Sequence, residues 1–192
     1  MSTTDTLAPM ALTSQMLGML GRLAQARSGD AALRQVDLLR LEIAPGSIFS
    51  IQQNMTTAHD PADELQLRRF YSSEAVTFPV RGAKRKTLTP WVKCLFLQGQ
   101  VFVGEGAHVL ASTFDDFDQM SAYGVQSVIN VPLMRGNVCY ATFNVFGAHP
   151  HWQAQQVLGI ELLALAVARW IPCAPGLAYR LAGSSFNSSV ET

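Results

Sequence analysis

Charge is scarce in this chain. Of 192 residues only 15% are Asp, Glu, Lys or Arg, and 14 basic side chains cancel 14 acidic ones. No global field is available to hold a polyanion, so non-specific nucleic-acid binding would need a local basic patch. Cysteine is scarce as well. Cys94, Cys139 and Cys173 are widely spaced, with no CxxC pair and no paired Cys/His pattern of the kind zinc requires. Reduced thiols in a cytoplasm, and no metal or cofactor, are expected. Two further absences bear on location. No run of about 18 apolar residues occurs. The opening MSTTDTLAPMALTSQM lacks the basic region and continuous apolar stretch of an export signal. Neither export nor membrane spanning is expected.

What the chain does have is apolar content, 48% of residues, enough for one well-buried core. The expected organisation is an N-terminal extension over 1–9, a single domain over 10–171 and a weakly ordered, Gly/Ser-containing tail over 172–192. Apolar residues from Leu12 through Met16, Leu17, Met19, Leu20 and Leu23 recur at helical spacing, with Thr13 or Ser14 as cap and Ser28-Gly29 as stop. Asp30 can cap a second helix carrying Leu33, Val36, Leu39, Leu41 and Ile43, which Pro45-Gly46 ends.

Two strands, SIFSIQQNM (Ser47 to Met55) and LQLRRFYSS (Leu65 to Ser73), follow on either side of a turn-rich loop. RGAKRK, Arg81 to Lys86, is the one basic patch; without interleaved aromatics it reads as a solvated loop, or as a loop folded over a small anion. Thr89-Pro90 signals a helix start for WVKCLFLQG, and QVFVGEG reads as a short buried strand. A helical or irregular segment from Ala107 ends on Gly124. GVQSVINVPLMRGNVCYATFNVFG then reads as a hairpin turning at Arg135-Gly136-Asn137. A last helix, roughly Gln153 to Ile171, is apolar on more than one side and needs two covers: its own sheet, and a second subunit. Together these elements make helices layered on a mostly antiparallel sheet.

This pattern resembles the GAF domain family. The likeness rests on Ile48-Phe49-Ser50-Ile51 as first strand, on Gly124 to Leu133 ending in Val-Pro-Leu, on the strand through Asn144 and on the final helix. A narrower likeness, to stand-alone bacterial GAF proteins, lies in Arg69-Phe-Tyr71-Ser72-Ser73, Pro79-Val-Arg-Gly82-Ala-Lys84 and Thr89-Pro90-Trp91. The resemblance implies an α+β, GAF/PAS-like fold: a mostly antiparallel sheet, terminal helices on one face, a ligand pocket on the other. Where such domains often have Gly-x-Leu after the hairpin turn, this chain has Tyr140-Ala141-Thr142, which either narrows the pocket wall or leaves it unchanged.

Strand alternation puts Arg69, Tyr71 and Ser73 on one face. Arg69 and Tyr71 suit a carboxylate or a phosphate ester, and Lys84 can add a third cation; alternatively Arg69 and Lys84 are solvated and Tyr71 is half core. In FDDFD, Asp115 and Asp118 share a helical face, where mutual repulsion would raise one pKa, or else the aspartates serve a helix N-terminus. His149-Pro150-His151 lies in a loop where the two histidines cannot share a helical face, so no metal site is assigned.

The reading that results is a sensory or regulatory module for a small anionic, partly apolar metabolite. Arg69, Tyr71, Ser73 and Lys84 would hold the anion; Asp115, Asp116, Ser127 and Asn130 would read polar groups; Trp91 and Phe114 would form the apolar wall. A homodimer through the terminal helices is expected, and no nucleic acid or membrane partner. Two alternatives stand. One is a small enzyme, free-methionine-sulfoxide-reductase-like or acid/base, using Cys139 or Asp115/Asp118; the other is a dimeric scaffold without ligand. No catalytic residue is assigned. Asn130 and Asn144, each inside an apolar run, either pair as a polar rung between strands or look into the pocket.

Overall fold

A computed structural model describes residues 14–183 and 188–189. The expected extension 1–9, and Leu12 and Thr13 at the start of the first helix, lie outside the described residues. Helices α1 (Ser14–Ala24) and α2 (Gly29–Ile43) open the chain. Ser28, rather than Asp30, caps α2, its hydroxyl accepting from the Ala31 N–H. Ala32, Leu33, Val36 and Leu39 form the buried stripe of α2, whereas Leu41 is exposed.

Six antiparallel strands form the sheet, in the order β3-β2-β1-β6-β5-β4. They are β1 (Ile48–Asn54), β2 (Glu64–Ser72), β3 (Ala83–Thr87), β4 (Phe102–Glu105), β5 (Ser127–Arg135) and β6 (Val138–Gly147). β3 corrects the expectation of a basic loop: AKRKT is an edge strand paired with β2. Its charges obscured it, and lysines on an edge strand are one way a sheet discourages further pairing. Alternation turns Lys84 and Lys86 to one face and Arg85 to the other, where it pairs with Glu64.

The hairpin turns at Gly136-Asn137, with Gly136 at φ 57°, and a bulge beside Leu133 brings Asn130 opposite Asn144. Pro132 is tolerated in β5 because it lies beyond the end of β4, whose pairing stops at Phe102 opposite Asn130.

Phe49 and Ile51 of β1, Ile129 and Val131 of β5, and Phe143 and Val145 of β6 alternate toward the helices, and all are buried. They join one core with Met19, Leu23, Val36, Leu39, Ile160, Leu163 and Val167. Each such side chain contributes about 1.5–3 kcal/mol relative to exposure. The last helix, α6 (Ala154–Val167), continues into a short 3-10 turn over Ala168–Trp170. Part of its second cover, expected from another subunit, comes from this chain's own α1 and α2, and Leu165 stays exposed. Gly159 permits the approach, because a Cβ there would meet the Ile43 side chain at 3.1 Å.

The remaining helices lie over the opposite face. Thr89 caps α3 (Pro90–Val92) by accepting from the Val92 N–H, and a π-helical turn over Lys93–Leu97 carries it on to Gly99. The segment after β4 resolves into α4 (Gly106–Thr113) and α5 (Phe117–Ala122). Beyond Pro172, where a loose tail was expected, Leu177, Tyr179 and Leu181 are buried in the main core. The Tyr179 hydroxyl accepts from the Cys139 N–H and donates to the Phe96 carbonyl, both at 3.0 Å. Two-residue strands β7 (Ala178–Tyr179) and β8 (Ser188–Ser189) pair there. Among the described residues no helix is long and apolar enough to cross a membrane.

Candidate ligand-binding site

On the face away from α1, α2 and α6 the sheet floors a cavity, with about 620 Å³ free of protein atoms when its open mouth is included. Alternation supplies the floor. Ile48, Ser50 and Gln52 of β1 point up, as do Asn144 and Phe146 of β6 and Asn130 of β5. The walls are apolar: Trp91 from α3, Phe114 from the α4–α5 turn, Met120 from α5, and Phe78 from the loop between β2 and β3. Arg69, Ser72, Lys84, Lys86 and Asp116 complete the lining on the β2–β3 side.

The two amides form a rung and line the cavity as well. Asn130 Nδ2 donates to Asn144 Oδ1 at 2.8 Å, and Trp91 Nε1 donates to Asn130 Oδ1 at 2.9 Å. Asn144 Nδ2 then reaches the carbonyls of Thr142 and Ser50, at 3.2 and 3.4 Å. A continuous chain of hydrogen bonds thus runs from the wall across three strands.

Arg69 and Tyr71 do not share a face. A bulge at Phe70 sets Arg69 opposite Gln52 but Tyr71 opposite Ile51, so Tyr71 turns toward the helices. Its hydroxyl donates to Asp37 of α2 at 3.2 Å, its ring lies 5.2 Å from that of Phe49, and burial with the nearby Asp37 carboxylate pushes its pKa up to about 12. Ser73 is displaced too. Its hydroxyl accepts from the Phe49 N–H at 2.9 Å, and Ser72 takes the cavity position opposite Ser50. Ser127 lies off the cavity, its hydroxyl donating to the His149 carbonyl at 2.6 Å.

The carboxylates are spoken for. Lys84 pairs with Asp116, and Lys86 with Asp115 at 2.5 Å. Asp115 is directed away from the cavity, and its pKa is lowered, chiefly by the Lys86 hydrogen bond; the expected repulsion from Asp118 does not govern it. Asp118 is exposed. Arg69 donates one bond, from Nη1 to the Pro79 carbonyl at 3.3 Å, and its guanidinium lies 5.6 Å from the Phe78 ring centre. Burial lowers its pKa, against the nearby Asp116 charge. Two polar atoms of the lining are buried without a partner among the described residues: Arg69 Nε and Ser50 Oγ.

Cys139 is buried in the main core rather than along the cavity; burial pushes its thiol pKa up. Tyr140 does not narrow the cavity, since its hydroxyl reaches the Ala168 carbonyl. His151 approaches Glu105 at 3.1 Å, in a second hollow beside Trp152. Among the lining residues that the sequence reading did not assign are Ser50, Gln52, Ser72, Phe78 and Lys86, with the apolar Ile48, Met120, Val125 and Phe146. Alternation from Ile48 already selects Ser50 and Gln52, whereas Ser72 depends on the bulge.

No protein-family model matches the chain, and no curated protein sequence does. Solved structures do match. One is the GAF domain from a phosphoenolpyruvate-protein phosphotransferase of Coxiella burnetii: identity 13%, coverage 81% of this chain and 91% of that one, TM-score 0.57. The fold is that of a GAF domain. A GAF domain of a two-component sensor histidine kinase from Bacillus halodurans superposes similarly, with 13% identity, coverage of 74% and 94%, and TM-score 0.55. So does the chromophore-binding domain of an unusual bacteriophytochrome from R. palustris, at 11% identity and TM-score 0.55. That match covers 81% of this chain, which spans 58% of the R. palustris chain. At these identities the comparison establishes the GAF fold.

Proposed function

We propose that this GAF-fold chain is a sensory or regulatory module that binds a small, anionic, partly apolar metabolite in the cavity above Asn130 and Asn144. The observation that carries the reading is the buried, unpartnered Arg69 Nε, set at the edge of a lining whose walls are Phe78, Trp91 and Phe114. An unpaired buried donor costs about 1–3 kcal/mol, which a ligand oxygen would recover. Ser50 Oγ offers a second unpartnered group on the floor. Arg69, Lys84 and Asp116 serve as polar partners and Trp91 and Phe114 as apolar walls, while Asn130 keeps the floor in register. Tyr71, Ser73, Asp115 and Ser127 hold the scaffold around the site.

The structural neighbours support a sensory role, since they include a domain of a sensor histidine kinase and the chromophore-binding domain of a bacteriophytochrome. A homodimer would use the helical layer, where Leu17, Leu38, Leu41 and Leu165 are exposed. Native mass spectrometry of the purified protein, followed by a thermal-shift panel of anionic metabolites, tests the binding reading. A co-purified or stabilising anion, lost in Arg69→Ala, is expected. No stabilisation by any anion, with Arg69→Ala indistinguishable from wild type, overturns it.

A further inference from the structure

The charges around the cavity can be counted, and the count restricts the ligand. Three cations line it, Arg69, Lys84 and Lys86. Two of them already have carboxylates, Lys84 with Asp116 and Lys86 with Asp115. Among the described residues no carboxylate makes ion-pair contact with Arg69, so the lining and its partners leave one positive charge uncompensated.

The direction in which that charge is presented is also specific. The Pro79 carbonyl occupies Arg69 Nη1. Four N–H donors remain, and Nε, which has no partner among the described residues, forms with Nη2 an edge of two parallel N–H donors that match the two oxygens of one carboxylate. Phe78 lies along the same guanidinium, and Trp91 and Phe114 stand edge to face with ring centres 6.1 Å apart. Charge and apolar surface are therefore adjacent.

Resting on the cavity reading above, we propose that the site takes a singly charged carboxylate with an apolar body and discriminates against doubly charged anions such as phosphate monoesters. A monoanion neutralises Arg69 and leaves both lysine–aspartate pairs intact. A dianion brings a second negative charge up to Asp116 with no free cation to meet it, or must break the Lys84–Asp116 pair to gain one. Removing either carboxylate frees a lysine and relaxes the discrimination.

Isothermal titration calorimetry at pH 8 on the full chain tests this with matched pairs: benzoate, phenylacetate and hexanoate against phenyl, benzyl and hexyl phosphate. At least one carboxylate is expected to bind about tenfold or more tightly than its phosphate partner, because one unmet charge at close range is worth at least that much. The margin should shrink in Asp116→Asn. Asp115→Asn, altering a carboxylate 86% exposed, provides the same test if Asp116→Asn fails to fold. Phosphates that bind as tightly as the carboxylates, or a margin unchanged in the folded variants, overturn the proposal. If phosphates bind through Arg69, the cavity reading survives and the charge count fails; if neither series binds, this proposal falls and the cavity reading is decided by the thermal-shift panel and Arg69→Ala.

Discussion

Asn130 and Asn144 stand directly opposite each other on β5 and β6 and share a 2.8 Å hydrogen bond, with the Trp91 indole N–H donating to the same Asn130 amide. Both amides are 2% exposed or less. The pair ties a wall of the cavity to its floor.

Asn130→Ala removes the acceptor of Trp91 and the donor to Asn144 in one step. Leaving those buried groups unpaired is expected to destabilise the fold by about 1–3 kcal/mol. Urea denaturation measures the loss; a change below about 0.5 kcal/mol would mean that water replaces the amide without cost.

Tyr71 is expected to ionise late. Its phenol, ordinarily near pH 10, is pushed up to about 12 by burial and by Asp37. A raised folded-state pKa means the neutral phenol stabilises the protein at all pH values below about 10, and this contribution fades as pH climbs toward 12. Ultraviolet titration of wild type against Tyr71→Phe should show a tyrosinate step near 12 missing from the variant. A missing step near 10 instead would refute both the burial of the phenol and its Asp37 contact.

Cys139 has no accessible surface, and its thiol donates to the Ala141 carbonyl at 3.3 Å. Iodoacetamide at pH 8 is expected to leave it unmodified in the native protein and to label it after denaturation, as read by peptide mapping. Rapid labelling of the folded protein would bring sulfur chemistry back into contention.

Leu38 and Leu165, 60% and 67% exposed on α2 and α6, are expected to lie in the contact of the proposed dimer. Replacing both by Glu should convert the protein to a monomer in sedimentation-velocity experiments while leaving its circular dichroism unchanged. A wild-type protein that is already monomeric at micromolar concentration removes the dimer from the account.

The fold was legible in the sequence where apolar period and turn chemistry agreed. The β5–β6 hairpin shows it: its glycine turn and one bulge fix the register of the two asparagines. β3 was hidden because AKRKT contains no large apolar residue, and its strand character comes from pairing with β2. The packed segment after Pro172 was hidden because its stabilisation is long-range: Tyr179 anchors to Cys139 and Phe96, far away in the chain. The site was half legible. Arg69, Lys84, Trp91, Phe114, Asp116 and Asn130 line the cavity, whereas Tyr71 and Ser73 do not, because strict alternation fails at a bulge that the letters RRFYS do not announce.

Trp91 has its ring in the cavity wall and its N–H fixed to the floor, while Trp152 and Trp170 have buried indole nitrogens with no hydrogen-bond partner among the described residues. Phenylalanine at those two positions breaks no hydrogen bond found there. The doubly substituted protein would then carry a single indole fluorophore in the wall of its own cavity, an optical reporter of occupancy that requires no label and responds whatever molecule fills the space.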